Sequence, residues 1–330
     1  MGHVTNVRGN NMLKKLFVSI ISIGLLTSCS SSTTNHQEKD SLKVITTIFP
    51  PYDFIREIAG EKVSLSMLIP LGSETHHYEP TIQDMKNIAD CDIFIYTGGE
   101  SDEWVSTLLK DIDTSNITII KLMDVVDIVE EEIKEGMDVE EEDDDDGDDD
   151  QEAHDYDEHV WTSLRNSMII VQELSKQLIA LDPANTTVYQ ENTMNYLQQL
   201  QTLDNEFSQV VENASRNTLI FGDRFPFRYF VEDYNLDYYA AFPGCSTMSD
   251  ASASTITFLI DKVKQENIPV VFYIEFSTEL IADVIVESTN ATKLIFNSAH
   301  TISKEDFDNG VSYLSIMQQN LDNLKVALYD

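Results

Sequence analysis

Imidazole has the most specific chemistry this sequence offers, and two stretches place it where a ligand could be held. In Pro70 to Gln83, PLGSETHHYEPTIQ, His76 and His77 stand just before Glu79-Pro80, where an apolar strand pattern gives way to a helical one. Imidazole nitrogen suits zinc, copper, iron and nickel, and open α/β sheets bind ligands at the carboxyl ends of their strands. Pro80 stiffens the exit from the loop. Thr81 to Asp84 has capping-box spacing, so a helix is expected from about Thr81 with the histidines on its N-terminal side. A second stretch, Asp157-Glu158-His159-Val160-Trp161, brings another imidazole to the mouth of a helix N-capped by Thr162 or Ser163. Each histidine alone is as compatible with an exposed loop residue as with a ligand; the two stretches together point to a metal ion.

The elements that must position these loops follow from pattern. Short β-branched or apolar runs at Lys43 to Ile48, Val63 to Ile69, Asp92 to Tyr96 and Ile117 to Lys121 alternate with helical patterns at Tyr52 to Ala59, Thr81 to Ala89 and Trp104 to Lys110, the arrangement of parallel β-α units. Ser163 to Ala180 is an amphipathic helix stopped at Asp182-Pro183. Ala184 to Asn213 then runs some thirty residues without Gly or Pro, a helix of roughly 45 Å and long enough to run the height of a two-lobed protein. A second β-α series follows, with strands at Thr218 to Phe221, Tyr238 to Ala241, Val270 to Ile274 and Lys293 to Phe296. Its helices are expected at Phe225 to Tyr234, Thr255 to Glu266, Thr278 to Ser288 and Val311 to Leu328. With 330 residues and 42% apolar composition, the chain is long enough for two domains, each with its own core.

Charge and processing signals narrow the partners. A formal charge of −37 argues against nucleic acid or an anionic membrane surface and favours cations. Between Glu130 and Glu158 stand 19 acidic residues and one Lys, a segment expected to be a mobile, solvated loop. It is either an acidic insertion with no task or, through His154, Asp155, Asp157 and Glu158, a loose collector of divalent ions ending directly at His159. At the N-terminus Lys14-Lys15 precede an apolar run from Leu16 to Leu26, the length of a signal-peptide core and too short for a membrane span. Met12 is the more natural start. The polar run after Cys29 reads as a flexible tether. Cys91 and Cys245 could be free thiols or a pair; no C-x-x-C supports a zinc-cysteine cluster.

The His-x-Tyr-Glu-Pro of His76 to Pro80, followed across an acidic, His-containing insertion by the His-Val-Trp of His159 to Trp161, resembles the metal-binding lipoproteins of zinc and manganese ABC importers, over nearly all of the chain beyond its leader. Leu26-Thr27-Ser28-Cys29 likewise resembles the bacterial lipobox, which implies cleavage before Cys29 and a diacylglycerol on its sulfur. The resemblance implies an α/β fold of two lobes, each a small, mostly parallel sheet flanked by helices, joined by a long linking helix. The boundaries expected are a signal peptide at 1–28, a lipidated tether at 29–41, an N-terminal lobe at 42–183 containing the acidic loop 130–158, the linking helix at 184–213 and a C-terminal lobe at 214–330. It further implies His76 and His159 as ligands, with His77 at a variable position, exposed or hydrogen-bonding behind the ligands, as Glu79 and Asn297 also could. The second lobe departs from the family: Phe221-Gly222-Asp223-Arg224-Phe225 lacks the His common after the first strand, and Asn297-Ser298-Ala299-His300 lacks the acid after the last. His300 becomes the ligand expected from that lobe. Asp223 either coordinates or pairs with Arg224, and Glu275 is either a further ligand or an acceptor for an imidazole N–H.

Three imidazoles and one oxygen make a tetrahedral Zn²⁺ site, whereas Mn²⁺ would prefer more carboxylate. The expected function is an exported, lipid-anchored, monomeric protein on the outer face of a bacterial membrane that captures Zn²⁺ between its lobes and passes it to an ABC permease. The permease and its ATPase are other chains, for no phosphate-binding G-x-x-x-x-G-K-[ST] occurs. An Mn²⁺-specific importer component, a surface adhesin or a metal-buffering lipoprotein are the alternatives. A zinc hydrolase is disfavoured because no H-E-x-x-H is present and neither Glu79 nor Glu158 is spaced as a general base.

Overall fold

In a computed structural model, residues 41–73, 78–139, 156–248 and 250–329 are described. The expected signal peptide, Cys29, the tether, His76, His77, His154 and Asp155 lie outside them.

The first lobe begins with β1 (Leu42–Thr46), α1 (Phe49–Ala59), β2 (Val63–Met67), α2 (Ile82–Ala89), β3 (Ile93–Tyr96), α3 (Glu103–Asp111) and β4 (Thr118–Lys121). The four strands are all parallel, in the order β2-β1-β3-β4. The two central strands are buried almost throughout, which is why they read as continuous apolar runs rather than as alternation. Pro50 and Pro51 sit in the first turn of α1, where a missing N–H costs nothing. Thr81 caps α2 with the reciprocal Thr81/Asp84 box its spacing predicts, and Ser163 caps α4 (Leu164–Leu181).

After α4 comes α5 (Thr186–Glu212), 27 residues and about 40 Å long. The second lobe follows as β5 (Thr218–Phe225), α6 (Arg228–Tyr234), β6 (Asp237–Pro243), α7 (Ala253–Glu266), β7 (Val270–Tyr273), α8 (Leu280–Glu287), β8 (Thr292–Ile295), α9 (Lys304–Asp308) and α10 (Tyr313–Tyr329). Its sheet, β6-β5-β7-β8, repeats the topology of the first. In each sheet the order reverses beside the first strand, between β1 and β3 and between β5 and β7, and at such a point the diverging loops leave a crevice. No described helix is long and apolar enough to cross a membrane.

Three expectations are corrected. The two lobes do not have separate cores: one buried cluster runs from Leu42 and Phe54 through Trp161, Tyr196 and Phe207 to Phe221, Phe296 and Leu328, with smaller clusters behind each sheet. Phe225 continues β5 through an irregularity at Phe221/Arg224 instead of opening a helix, and the short α9 carries no expectation at all. The third correction concerns the acidic segment, whose flanks are packed. Glu130 bridges to Tyr156, and the Asp157 N–H donates to the Val129 carbonyl. Residues 131–138 cross to the second lobe, where Lys134 pairs with Asp237 at 2.5 Å and the Asp138 carboxylate caps α7 through Ser252 and Thr255. A nearly uniform acidic run hides such anchoring because each partner lies about a hundred residues away.

Candidate metal centre

Each lobe sends one described imidazole into the crevice. His159 stands immediately before the turn that starts α4 and is 2% exposed. Its backbone N–H and its Nδ1 both face Oδ1 of Asp157, at 2.8 and 3.2 Å. Asp157 is itself fixed, since its carbonyl accepts the Tyr229 hydroxyl at 2.7 Å. Glu158 turns the other way: its carboxylate accepts Ser101 N–H at 2.9 Å and the Ser101 hydroxyl, tying this segment to the loop after β3. That approach needs Gly99, at φ +78°, where an added Cβ would lie 2.5 Å from Glu158 Oε2. Burial acts to lower the His159 pKa, but Asp157 first, then Glu158 and Glu131, overcome it and leave the value raised.

His300 comes from the loop after β8, and that loop is held on three sides. Glu275, at the end of β7, accepts Ser298 N–H at 2.7 Å, the Ser298 hydroxyl, and His300 N–H at 3.3 Å. Asn320 of α10 accepts Asn297 N–H at 2.8 Å and donates to the Asn297 carbonyl at 2.7 Å. Asn297 in turn accepts Ala299 N–H at 2.7 Å, which supports the left-handed backbone of Ala299 at φ 60°. From the first lobe, Trp161 Nε1 donates to the Ser298 carbonyl at 2.8 Å while its ring lies 4.9 Å from that of His300.

The His159 and His300 ring centroids are 5.8 Å apart and perpendicular. Two imidazoles sharing one tetrahedral zinc at ~2.0–2.1 Å per bond have centroids about 5 Å apart, so a small adjustment would let both nitrogens reach one ion. They line a cavity of about 170 Å³ together with Gly72, Ser73, Arg224, Glu275, Ser298 and Thr301. Gly72 and Ser73 lead directly to residues 74–77, which lie outside the described residues with His76 and His77. Among the described residues no group of three or more His, Cys, Asp or Glu is already gathered to hold a metal; the cavity offers two imidazoles and the carboxylate of Glu275.

The remaining candidates are placed elsewhere or in other roles. Asp223 is buried but lines the adjoining cavity, and its oxygens accept Arg224 N–H at 2.9 Å and Ile274 N–H at 3.2 Å; burial raises its pKa despite the Ser277 hydroxyl and these amides. Burial likewise raises that of Glu275. Glu79 is exposed, and Asn297 builds the loop rather than facing the imidazoles. Cys91 and Cys245 are free. Sequence reasoning missed Arg224 as a wall of the cavity; its position at the carboxyl end of a central strand was the available signal.

Comparison with known proteins agrees with this architecture. Residues 44–327 match the model of the family described as zinc-uptake complex component A, periplasmic. The chain is 31% identical over 323 residues to the high-affinity zinc uptake system protein ZnuA of Bacillus subtilis, covering 96% of this chain and 99% of that one. It is 27% identical to the zinc-binding lipoprotein AdcA of Streptococcus pneumoniae, over 95% of its own length and 61% of that longer protein. It is also 29% identical to PsaA, a manganese ABC transporter substrate-binding lipoprotein of Streptococcus pneumoniae, over 95% of this chain and 96% of that one. The crystal structure of the metal-dependent lipoprotein YcdH from Bacillus subtilis superposes with a TM-score of 0.73 at 28% identity, covering 87% of this chain and all of that one. A family model spanning nearly the whole described chain, on a fold of two like-ordered parallel sheets, establishes that this chain belongs to the zinc-uptake complex component A family.

Proposed function

We propose that this protein is an extracytoplasmic, lipid-anchored binding component that captures Zn²⁺ between its lobes and delivers it to an ABC permease, without catalysing a reaction. The observation that carries the reading is the meeting of His159 and His300, one from each lobe, across a single cavity. Both can present a neutral nitrogen: with Nδ1 of His159 directed at Asp157, Nε2 is the atom left for a metal. His76, eight residues beyond Leu68 and just after the Gly72-Ser73 wall, is the third imidazole of the proposal.

Zinc is favoured over manganese by the donor set, because imidazole suits zinc and the described carboxylates of the crevice are engaged by N–H and O–H donors. The names of the Bacillus ZnuA and pneumococcal AdcA relatives support zinc and lipid anchoring, whereas PsaA keeps manganese as the competing ion. Lipidation at Cys29 and the membrane permease with its ATPase are parts of the same proposal.

The test is metal analysis of protein purified without chelator, followed by zinc titration of His159→Ala and His300→Ala. Each substitution should weaken zinc binding by about 100-fold or more, one ligand's share of the ~10–16 kcal/mol typical of four-ligand zinc sites. Zinc affinity unchanged in both variants would rule out a site shared between the lobes.

A further inference from the structure

One residue of the cavity wall stands in a backbone conformation that its side chain disfavours. Phe276, in the turn between β7 and α8, has φ 59°, the left-handed region that a bulky residue rarely occupies. Such strain persists only where surrounding contacts impose it, and here they do so from both sides. Before Phe276, the Glu275 carboxylate accepts Ser298 N–H and His300 N–H. After it, the Ser277 hydroxyl bonds to the buried Asp223 carboxylate and accepts Glu279 N–H at 3.2 Å. Glu279, itself left-handed at φ 61°, is paired with Lys293 at 2.6 Å. The backbone is therefore pinned, and it delivers an aromatic side chain, 57% exposed, to the cavity that His159 and His300 share. The other large apolar side chains of that wall, Pro226 and Ile274, are buried.

The ring reaches the opposite lobe. Gly72, in the loop after β2, has no side chain, and a Cβ there would lie 3.4 Å from Phe276 Cε1 and 3.8 Å from Cζ, so the ring edge rests on first-lobe backbone. Beside this contact the Gly72 N–H donates to Thr301 Oγ1, in the loop of His300, at 3.0 Å. On its other side Phe276 borders the adjoining cavity of about 200 Å³, which gives the ring room to turn out of the mouth while the backbone stays fixed. We propose that Phe276 is the gate of the metal cavity: its ring closes the mouth against Gly72 and swings aside to admit and release the ion. This rests on the metal-capture reading above. A hydrocarbon ring is no ligand, so the gate slows capture and release by one common factor, the fraction of time the mouth is open, and leaves the equilibrium affinity as it is.

The experiment is stopped-flow zinc transfer between the full chain and a chromophoric chelator, run in both directions so that the association and dissociation rates are read separately. In Phe276→Ala both rates should rise about tenfold while their ratio stays within about threefold of the wild type. Phe276→Gly should behave alike, and because glycine adopts φ 59° freely it tests the gate even where alanine disturbs the turn. Phe276→Tyr, which keeps the ring, should keep the slow wild-type rates. Rates unchanged in both the alanine and glycine variants overturn the gate. Faster release alone, with affinity weakened in proportion, also overturns it, since that marks a ring that only supports the site. Either result leaves metal capture standing. Zinc binding that is absent from the wild type, or indifferent to His159→Ala and His300→Ala, overturns metal capture itself.

Discussion

Replacing Asp157 by Asn asks whether His159 owes its ligating form to the carboxylate behind it. Asp157 Oδ1 accepts from both the backbone N–H and Nδ1 of His159, inside a buried pocket. An asparagine keeps an acceptor of the same shape and loses the charge. Oδ2 has no hydrogen-bond partner among the described residues, so an amide nitrogen in its place would be a buried donor without one. Partners of metal-ligating histidines are typically worth 10- to 100-fold in affinity, about 1.4–2.7 kcal/mol, and that loss should be seen in full at the alkaline end of the titration, once affinity no longer changes with pH. The pH profile adds a second readout. The His159 pKa is raised above 6.5, Asp157 being the largest of the raising influences that overcome burial. Protons compete with the metal, so wild-type affinity should fall as pH drops through that raised value, and in Asp157→Asn the fall should begin at lower pH. The stability of the metal-free protein runs the other way. A raised folded-state pKa contributes stability that is present below about 6.5 and is lost as pH rises through the folded value, so the apo protein gains on acidification while the site empties. Chelator competition from about pH 6 to about pH 9, paired with urea unfolding of the apo form, measures both. Unchanged high-pH affinity together with an unchanged midpoint would refute the reasoning.

Two further perturbations probe the supports of the site. Asn320→Ala should destabilise the metal-free protein by about 1–3 kcal/mol in urea unfolding, because it removes a buried side chain and leaves the half-buried Asn297 N–H and C=O without their partner, and should weaken zinc binding by loosening the loop that carries His300; a cost below about 0.5 kcal/mol would show the loop is held by other contacts. Replacing residues 140–155 by a short Gly/Ser linker should leave tight zinc binding within about threefold and remove only loosely held ions, read by titration before and after dialysis. Loss of all binding in that variant would favour a metal buffer over an importer component.

The sequence alone determined what depends on near neighbours. Apolar runs separated by helical patterns dictated two series of parallel β-α units, Thr81 announced its helix through the spacing of its capping partner, the cap of α4 was narrowed to Thr162 or Ser163, of which Ser163 serves, and a histidine just ahead of Trp161 marked the mouth of α4. Tertiary structure decided everything that depends on where a loop side chain turns, because that direction is set by partners far along the chain. Glu158 belongs to Ser101, 57 residues away, and so turns from the crevice, while Trp161 reaches Ser298 across 137 residues and brings the two imidazoles within 5.8 Å. Glu275 and Asp223, equivalent in sequence as carboxylates ending strands, were separated by the backbone amides each happened to meet. Arg224, one residue from Asp223, lines both the imidazole cavity and the adjoining one, at the end of a strand that continues irregularly past Phe221, a backbone feature with no signature in residue periodicity.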